Sequence, residues 1–214
     1  KLLCASPFTP VPGSRLLARD SADRRILLSA LQSLAMQSGL SSAHLLFPHD
    51  DDIEAARAEG WMVRHGVQFH WRNRPDVPYA DFADFTAALQ REKRKKIQQE
   101  RRRVAEAGVS FQVRVGTEIT DADWRFFHHC YSLTYAAHGS TPYLSLDFFL
   151  GMGRQLSQHW VMFIALRNGE PLAASLVAID AERRWSWGRY WGATEHVPCL
   201  HFEACYYQPL QWCI

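Results

Sequence analysis

Apolar residues recur along this chain with two periods, and the changes of period mark its elements. Ile26, Leu27, Ala30, Leu31, Leu34 and Ala35 fall at helical spacing. They predict a helix over 22–38, opened by Asp20 or Ser21 and closed at Gly39. Short apolar runs at 1–5 and 44–47 predict strands. Between them Pro7, Pro10, Pro12 and Gly13 impose an irregular loop. Asp50, Asp51 and Asp52 suit the start of a second helix, where free N–H groups carry positive partial charge, and Gly60 closes it. From Met62 to Trp71 the period becomes two, with Val63, His65, Val67, Phe69 and Trp71 on one face, which predicts a strand.

Asn73–Pro78 reads as a linker. Asp81 then starts a helix expected to run to Gly108, with Phe82, Phe85, Leu89, Ile97 and Val104 as a broken apolar stripe. Alternation returns over 109–115. Thr120 or Asp121 caps a helix through about Ala137, and Ser145 caps another. A meander follows: a strand over 160–166, Asn168-Gly169 as a type I′ hairpin signal, a return strand over 171–179, and a further strand over 184–192. The return strand is apolar on both faces and is expected at the centre of its sheet. A final helix begins near Cys199, and Pro209 should kink or end it. The pattern is that of a mixed α/β protein (α+β, mixed sheet).

Composition adds little except in one place. The 214 residues suffice for one large or two small domains, and 27 of them are aromatic (8 Trp, 7 Tyr, 12 Phe). The five cysteines are odd in number with no C-x-x-C spacing, and they read as reduced thiols of a cytoplasmic protein. His65/His70 and His128/His129 lack partners at ligand spacing, so no metal site is expected. No apolar run approaches the roughly 20 residues needed to span a bilayer. The chain opens on Lys and closes inside an apolar pattern, which predicts a fragment of a longer protein. The exception is charge. Residues 91–103 hold eight Lys or Arg against Glu92 and Glu100, a local +6, whereas the whole chain carries +2. Arg94, Lys95, Arg101 and Arg102 are the candidates for an anionic partner such as RNA. The other reading is a solvated helix face.

Two stretches could carry chemistry. In Trp185–Gly192, strict alternation puts Trp185, Trp187, Arg189 and Trp191 on one face and Ser186, Gly188, Tyr190 and Gly192 on the other. Two glycines within a strand mark a bulge or a close approach by a ligand. The competing reading is packing beneath an aromatic cluster. Glu195 and His196 lie in the following loop, and His201 and Glu203 in the first turn of the last helix. A carboxylate or imidazole there could deprotonate an attacking amine, or could simply complement the helix dipole. Tyr206 could bind substrate or pack with its polar tip out. No P-loop, G-x-G-x-x-G, G-x-S-x-G or H-E-x-x-H occurs, so ordinary kinases, dehydrogenases and hydrolases lack support.

Pro7-Phe-Thr-Pro-Val11 with Gly13 and Arg15, Gly188-Arg-Tyr-Trp-Gly192, and Leu200-His-Phe-Glu203 with Tyr206-Tyr-Gln208 resemble a bacterial Fem-like family concerned with peptidoglycan biosynthesis or recognition. The resemblance covers nearly the whole chain. It implies tandem GNAT-like half-domains: 1–78 as the back of one unit, 79–108 as a basic connecting helix, and 109–214 as the front of the next. It also implies acyl or aminoacyl transfer to an amine, with acyl-CoA or aminoacyl-tRNA as donor and a small molecule or peptide as acceptor. In that scheme His201 or Glu203 assists deprotonation, while Arg189, Tyr190, Glu195 and Tyr206 bind substrate. The alternative is a non-catalytic module recognising cell-wall peptide or RNA. The expected pyrophosphate loop reads Gly192-Ala-Thr-Glu-His-Val-Pro-Cys199, with one Gly and an acid. That departs from the CoA pattern and leaves Pro10–Arg15 as its only substitute.

Overall fold

A computed structural model describes all residues, 1–214. The chain divides into two compact units, Lys1–His70 and Trp71–Ile214. In the first, β1 (Leu2–Cys4) pairs in parallel with β2 (Ala43–Leu45), and α1 (Ser21–Gln37) and α2 (Asp50–Ala58) complete it. Asp20 caps α1 by accepting from the Asp23 N–H at 2.9 Å. The core is small: Leu16, Leu28, Ala55 and Ala56, with Leu31, Leu45 and Trp61 against them. Two charged side chains are buried with it. Asp52 is 0% exposed. It accepts from the Arg15 and Leu16 N–H groups (2.7 and 3.3 Å) and from Arg24 Nε (3.0 Å). Arg15 donates to the carbonyls of Leu46, Val11 and Thr9 and so pins the proline-rich loop.

The strand expected over 62–71 does not form. That stretch pairs with no strand, and Val67 (83%) and Phe69 (96%) are exposed. Alternation stabilises a strand only when a neighbour takes its backbone groups and something covers its apolar face. The two-stranded sheet of this unit offers neither.

The second unit carries a four-stranded antiparallel sheet in the order β3 (Val109–Val115), β4 (Trp160–Arg167), β5 (Glu170–Asp180), β6 (Trp185–Ala193). The return strand β5 is internal, as its two apolar faces require. Asn168 and Gly169 both have positive φ (54° and 85°), the geometry of a type I′ turn. Helices α5 (Asp121–Ala137) and α6 (Leu146–Gln155) cover one face. Thr120 and Asp123 form a reciprocal capping box on α5, and Ser145 caps α6. Trp124, Phe127, Tyr131 and Phe149 fill the space between these helices and Met162, Ile164, Ala174 and Leu176 of the sheet.

The other face of the sheet meets the last helix and the basic helix. The expected single helix over 81–108 is two: α3 (Phe82–Ala87) and α4 (Arg91–Glu106). The break falls where the apolar stripe runs out, since only charged residues occupy 91–96. Phe82 and Phe85 then join Trp71, Tyr79 and Tyr207 in an aromatic group. Val104 packs separately with Val109, Val197 and Leu200. Arg94 spans the gap, donating to the Ala87 carbonyl at 3.1 Å. Pro209 does not end the last helix. Leu200–Phe202 and Gln208–Cys213 (α7 and α8) are joined by a π turn over Glu203–Tyr207. Proline lacks the N–H that an α-turn would use, and widening the turn ahead of it keeps the helix continuous. No helix is long and apolar enough to cross a membrane.

Candidate functional site

The site is built on an irregularity in β6. Trp191 lies opposite Ser175 and Gly188 opposite Val177, so both Arg189 and Tyr190 face the single residue Leu176. This is a bulge: one extra residue, which flips every side chain beyond it. Strict alternation over Trp185–Gly192 is therefore broken. Trp185 and Trp187 lie opposite Asp180 and Ala178, on the same side as Tyr190 and helix α5. Ser186 and Gly188 lie on the side of Trp191.

The two glycines have different roles. A Cβ on Gly192 would lie 2.0 Å from the Cys130 carbonyl oxygen, so this glycine admits helix α5 rather than a ligand. Thr134 of α5 also donates to the Trp191 carbonyl at 3.0 Å. A Cβ on Gly188 would meet nothing within 4 Å.

On the α5 side, Tyr190 packs edge-on against Tyr131 with centroids 5.0 Å apart. Tyr131 lies 4.7 Å from Tyr135, and Tyr135 5.6 Å from Tyr143 in the α5–α6 connection. Arg189 lies over the Tyr190 ring at 4.2 Å and donates to its hydroxyl at 2.9 Å. Burial, followed by the hydrogen bond to Tyr143, pushes the Tyr190 phenol well above its usual pKa.

On the opposite face the last helix sends its two candidate bases to different places. His201 packs against Trp191 at 4.9 Å and against Phe202 and Tyr206. Burial lowers its pKa below the ordinary imidazole value of 6.5, so it is neutral at pH 7. Glu203 is 4% exposed and turns toward α4. Its Oε1 accepts from Arg101 Nε at 3.1 Å and Gln208 Nε2 at 2.7 Å, and its buried Oε2 has no protein partner. The Gln208 contact joins positions five apart, which a π turn stacks and an α-turn does not. Gln208 was legible only to a reading that took Pro209 as a sign of a widened turn. Tyr206 is exposed beside Phe202. Tyr207 donates to Glu100, and burial and that carboxylate raise its pKa well above the usual value.

Two clefts open between these helices and share Arg101. One, of about 510 Å³, is lined by Phe82, Ile97, Gln98 and Gln211. The other, of about 390 Å³, is lined by Glu203, Gln208, Arg102, Val109 and Phe111. Of the four basic candidates, Arg94 and Arg101 are engaged within the unit. Arg101 also donates to Gln211 at 2.9 Å and sits over Phe82 at 4.6 Å. Lys95 and Arg102 are exposed, as are Arg91, Lys93 and Arg103. Glu195 pairs with Arg167 of β4. In the first unit Arg15 is held by three carbonyls, which leaves the loop Pro10–Arg15 without a cation to offer a pyrophosphate. No group of three His, Cys, Asp or Glu side chains converges to hold a metal.

Comparison with solved structures finds a fold match to the C-terminal domain of a protein described as a lysylphosphatidylglycerol synthetase, from Agrobacterium fabrum. The TM-score is 0.52 at 13% identity, covering 91% of this chain and 57% of that one. This chain thus spans little more than half the length of that structure. No curated protein matches. The FemAB-like family model, described as peptidoglycan biosynthesis/recognition, matches residues 1–214, so the chain belongs to that family.

Proposed function

We propose that this protein is an acyl or aminoacyl transferase that moves an acyl group from an activated donor to an amine on a peptidoglycan precursor. The observation that carries the reading is Glu203. One of its oxygens is fixed by Arg101 and Gln208, while the other is buried without a partner in a residue that lines a cleft beside the basic helix. A buried carboxylate oxygen left unpaired is costly, and an incoming ammonium or amine would satisfy it. The amine nitrogen then attacks the activated carbonyl. The C–N bond forms, the bond to the donor's oxygen or sulfur breaks, Glu203 takes the amine proton, and the leaving group is protonated in turn. His201 lies on another side of the helix, where its neutral imidazole would serve a second proton transfer rather than the same one.

The name of the Agrobacterium protein also describes an aminoacyl product, which fits this class of reaction. The element order supports a GNAT-like origin: 1–78 as the back of one unit, 79–108 as the connecting segment that carries α3 and α4, and 109–214 as the front of a second. Exposed Arg91, Lys93, Lys95, Arg102 and Arg103 would meet the phosphates of an aminoacyl-tRNA donor.

Transfer from labelled aminoacyl-tRNA to a precursor amine is the test. Glu203→Gln is expected to lower the rate on the order of 10²-fold or more while near-UV circular dichroism stays unchanged. His201→Gln is expected to lower it less. In the parent, activity should persist as pH falls past 6.5 and drop only below His201's lowered pKa. Undiminished turnover in both variants removes the two residues from the mechanism. If no turnover occurs but RNA binds with a steep salt dependence, the non-catalytic reading replaces this one. Arg101 favours that second reading, because its pairing with Glu203 and stacking on Phe82 also suit a purely structural carboxylate.

A further inference from the structure

Arg189 is half-buried, yet no carboxylate pairs with it anywhere in the chain. Its partners are phenols: the Tyr190 hydroxyl and ring, and the hydroxyl of Tyr143. The bulge in β6 makes this possible, because Arg189 and Tyr190 share one opposing residue, Leu176. The α5–α6 connection is tied in place beside it. The Leu144 N–H donates to the Tyr131 hydroxyl at 3.4 Å, and Tyr135 and Tyr190 both hydrogen-bond the Tyr143 hydroxyl. Tyr135, Tyr190 and Arg189 therefore gather around the Tyr143 hydroxyl, at a residue that is 51% exposed. Burial raises the pKa of Tyr143, but these hydrogen bonds and the Arg189 charge outweigh it and bring the phenol below its usual value. A half-buried guanidinium that no carboxylate neutralises, beside a solvent-exposed phenol, is an anion site.

We propose that Arg189, Tyr143 and Tyr190 bind the free carboxylate of the peptide that supplies the acceptor amine. A single guanidinium with neutral phenols matches a carboxylate's one charge, and a phosphate dianion would lack a second cation. The planar fork of Arg189 suits two carboxylate oxygens, and the surrounding tyrosine rings suit the apolar parts of a short peptide. That the peptide is the acceptor rests on the transferase reading above. Carboxylate binding itself does not.

The test is equilibrium titration of the full chain by calorimetry with Ala-Ala-Ala, with its C-terminal amide, and with inorganic phosphate, and no acyl donor present. The acid is expected to bind at least tenfold more tightly than the amide. Arg189→Gln should abolish that preference, Arg189→Lys should retain part of it, and Tyr143→Phe should weaken it several-fold. Near-UV circular dichroism reports whether each variant is folded. Tyr143→Phe and Arg189→Lys keep the test open if Arg189→Gln is not. Equal affinity for acid and amide, a preference that survives all three substitutions, or tighter binding of phosphate overturns the proposal. Loss of transfer with the acid preference intact instead overturns the transferase reading and leaves this one standing.

Discussion

Gly192→Ala is expected to unfold the second unit at a temperature about 10 °C below the parent, a loss of roughly 3 kcal/mol or more. The added methyl would sit 2.0 Å from the Cys130 carbonyl oxygen, 2.4 Å from its carbon and 2.8 Å from Thr134 Oγ1. All three atoms belong to α5, and two are backbone, so a side-chain rotation cannot relieve the clash. The helix must lift from β6. That loosens the packing of Tyr131 on Tyr190 and weakens the Thr134 bond to the Trp191 carbonyl. Gly188→Ala is the matched control in the same strand. It meets nothing within 4 Å and needs no positive φ, so its midpoint should move little. Calorimetry on both variants decides the point: equal midpoints would mean that α5 does not depend on the glycine.

The second large effect is expected in the first unit. Asp52→Ala removes the acceptor of two backbone N–H groups and of Arg24, whose side chain is only 15% exposed. Removing one partner of a buried charge pair costs about 3–5 kcal/mol, and Arg24 keeps only its 3.3 Å contact with the exposed Asp51, which sets the expected loss at the lower end of that range. The small core of this unit cannot absorb that loss. Asp52→Asn keeps one acceptor oxygen but loses the charge that holds Arg24, and should fall between alanine and the parent. Proteolysis is the direct measurement, with cleavage in the loop over residues 5–16 expected to accelerate strongly in the alanine variant. A loop that stays resistant would show that Arg15's three carbonyl bonds suffice alone.

Elements with local causes were legible in the sequence. Helix α1 with its Asp20 cap, the Thr120–Asp123 box on α5, Ser145 on α6, and the Asn168-Gly169 hairpin all follow from residues within four positions of each other. Three features were not legible, and each depends on a distant partner. The alternation of 62–71 is real, but a strand needs a neighbour that the unit's sheet does not provide. The basic stretch looked continuous because no Gly or Pro interrupts it. Only the separate burial of Phe82 and Val104 reveals the break.

The parity of β6 was hidden because aromatic and glycine residues occupy both faces. Apolar alternation could not register the extra residue, although the glycines had signalled a bulge. At the candidate site, Glu203 was nameable from its place in the first turn, while its pairing with Arg101, 102 positions away, was not. Tyr135 and Tyr143 were not legible as site residues, since no Lys or Arg lies near them in sequence and their significance comes from Arg189 across the fold.

The bulge at Arg189–Tyr190 and the π turn at Glu203–Tyr207 are each a single residue more than a regular element would hold. Such features are counted in integers, so they cannot be tuned by degrees. Removing either Arg189 or Tyr190 would restore an ordinary strand, with Trp185 and Trp187 still opposite Asp180 and Ala178, and would leave one side chain where two now face Leu176. When relatives of this chain are aligned, a one-residue gap at 189–190 would therefore signal a different surface on the α5 side of the sheet. Ordinary substitutions around it would leave that surface in place.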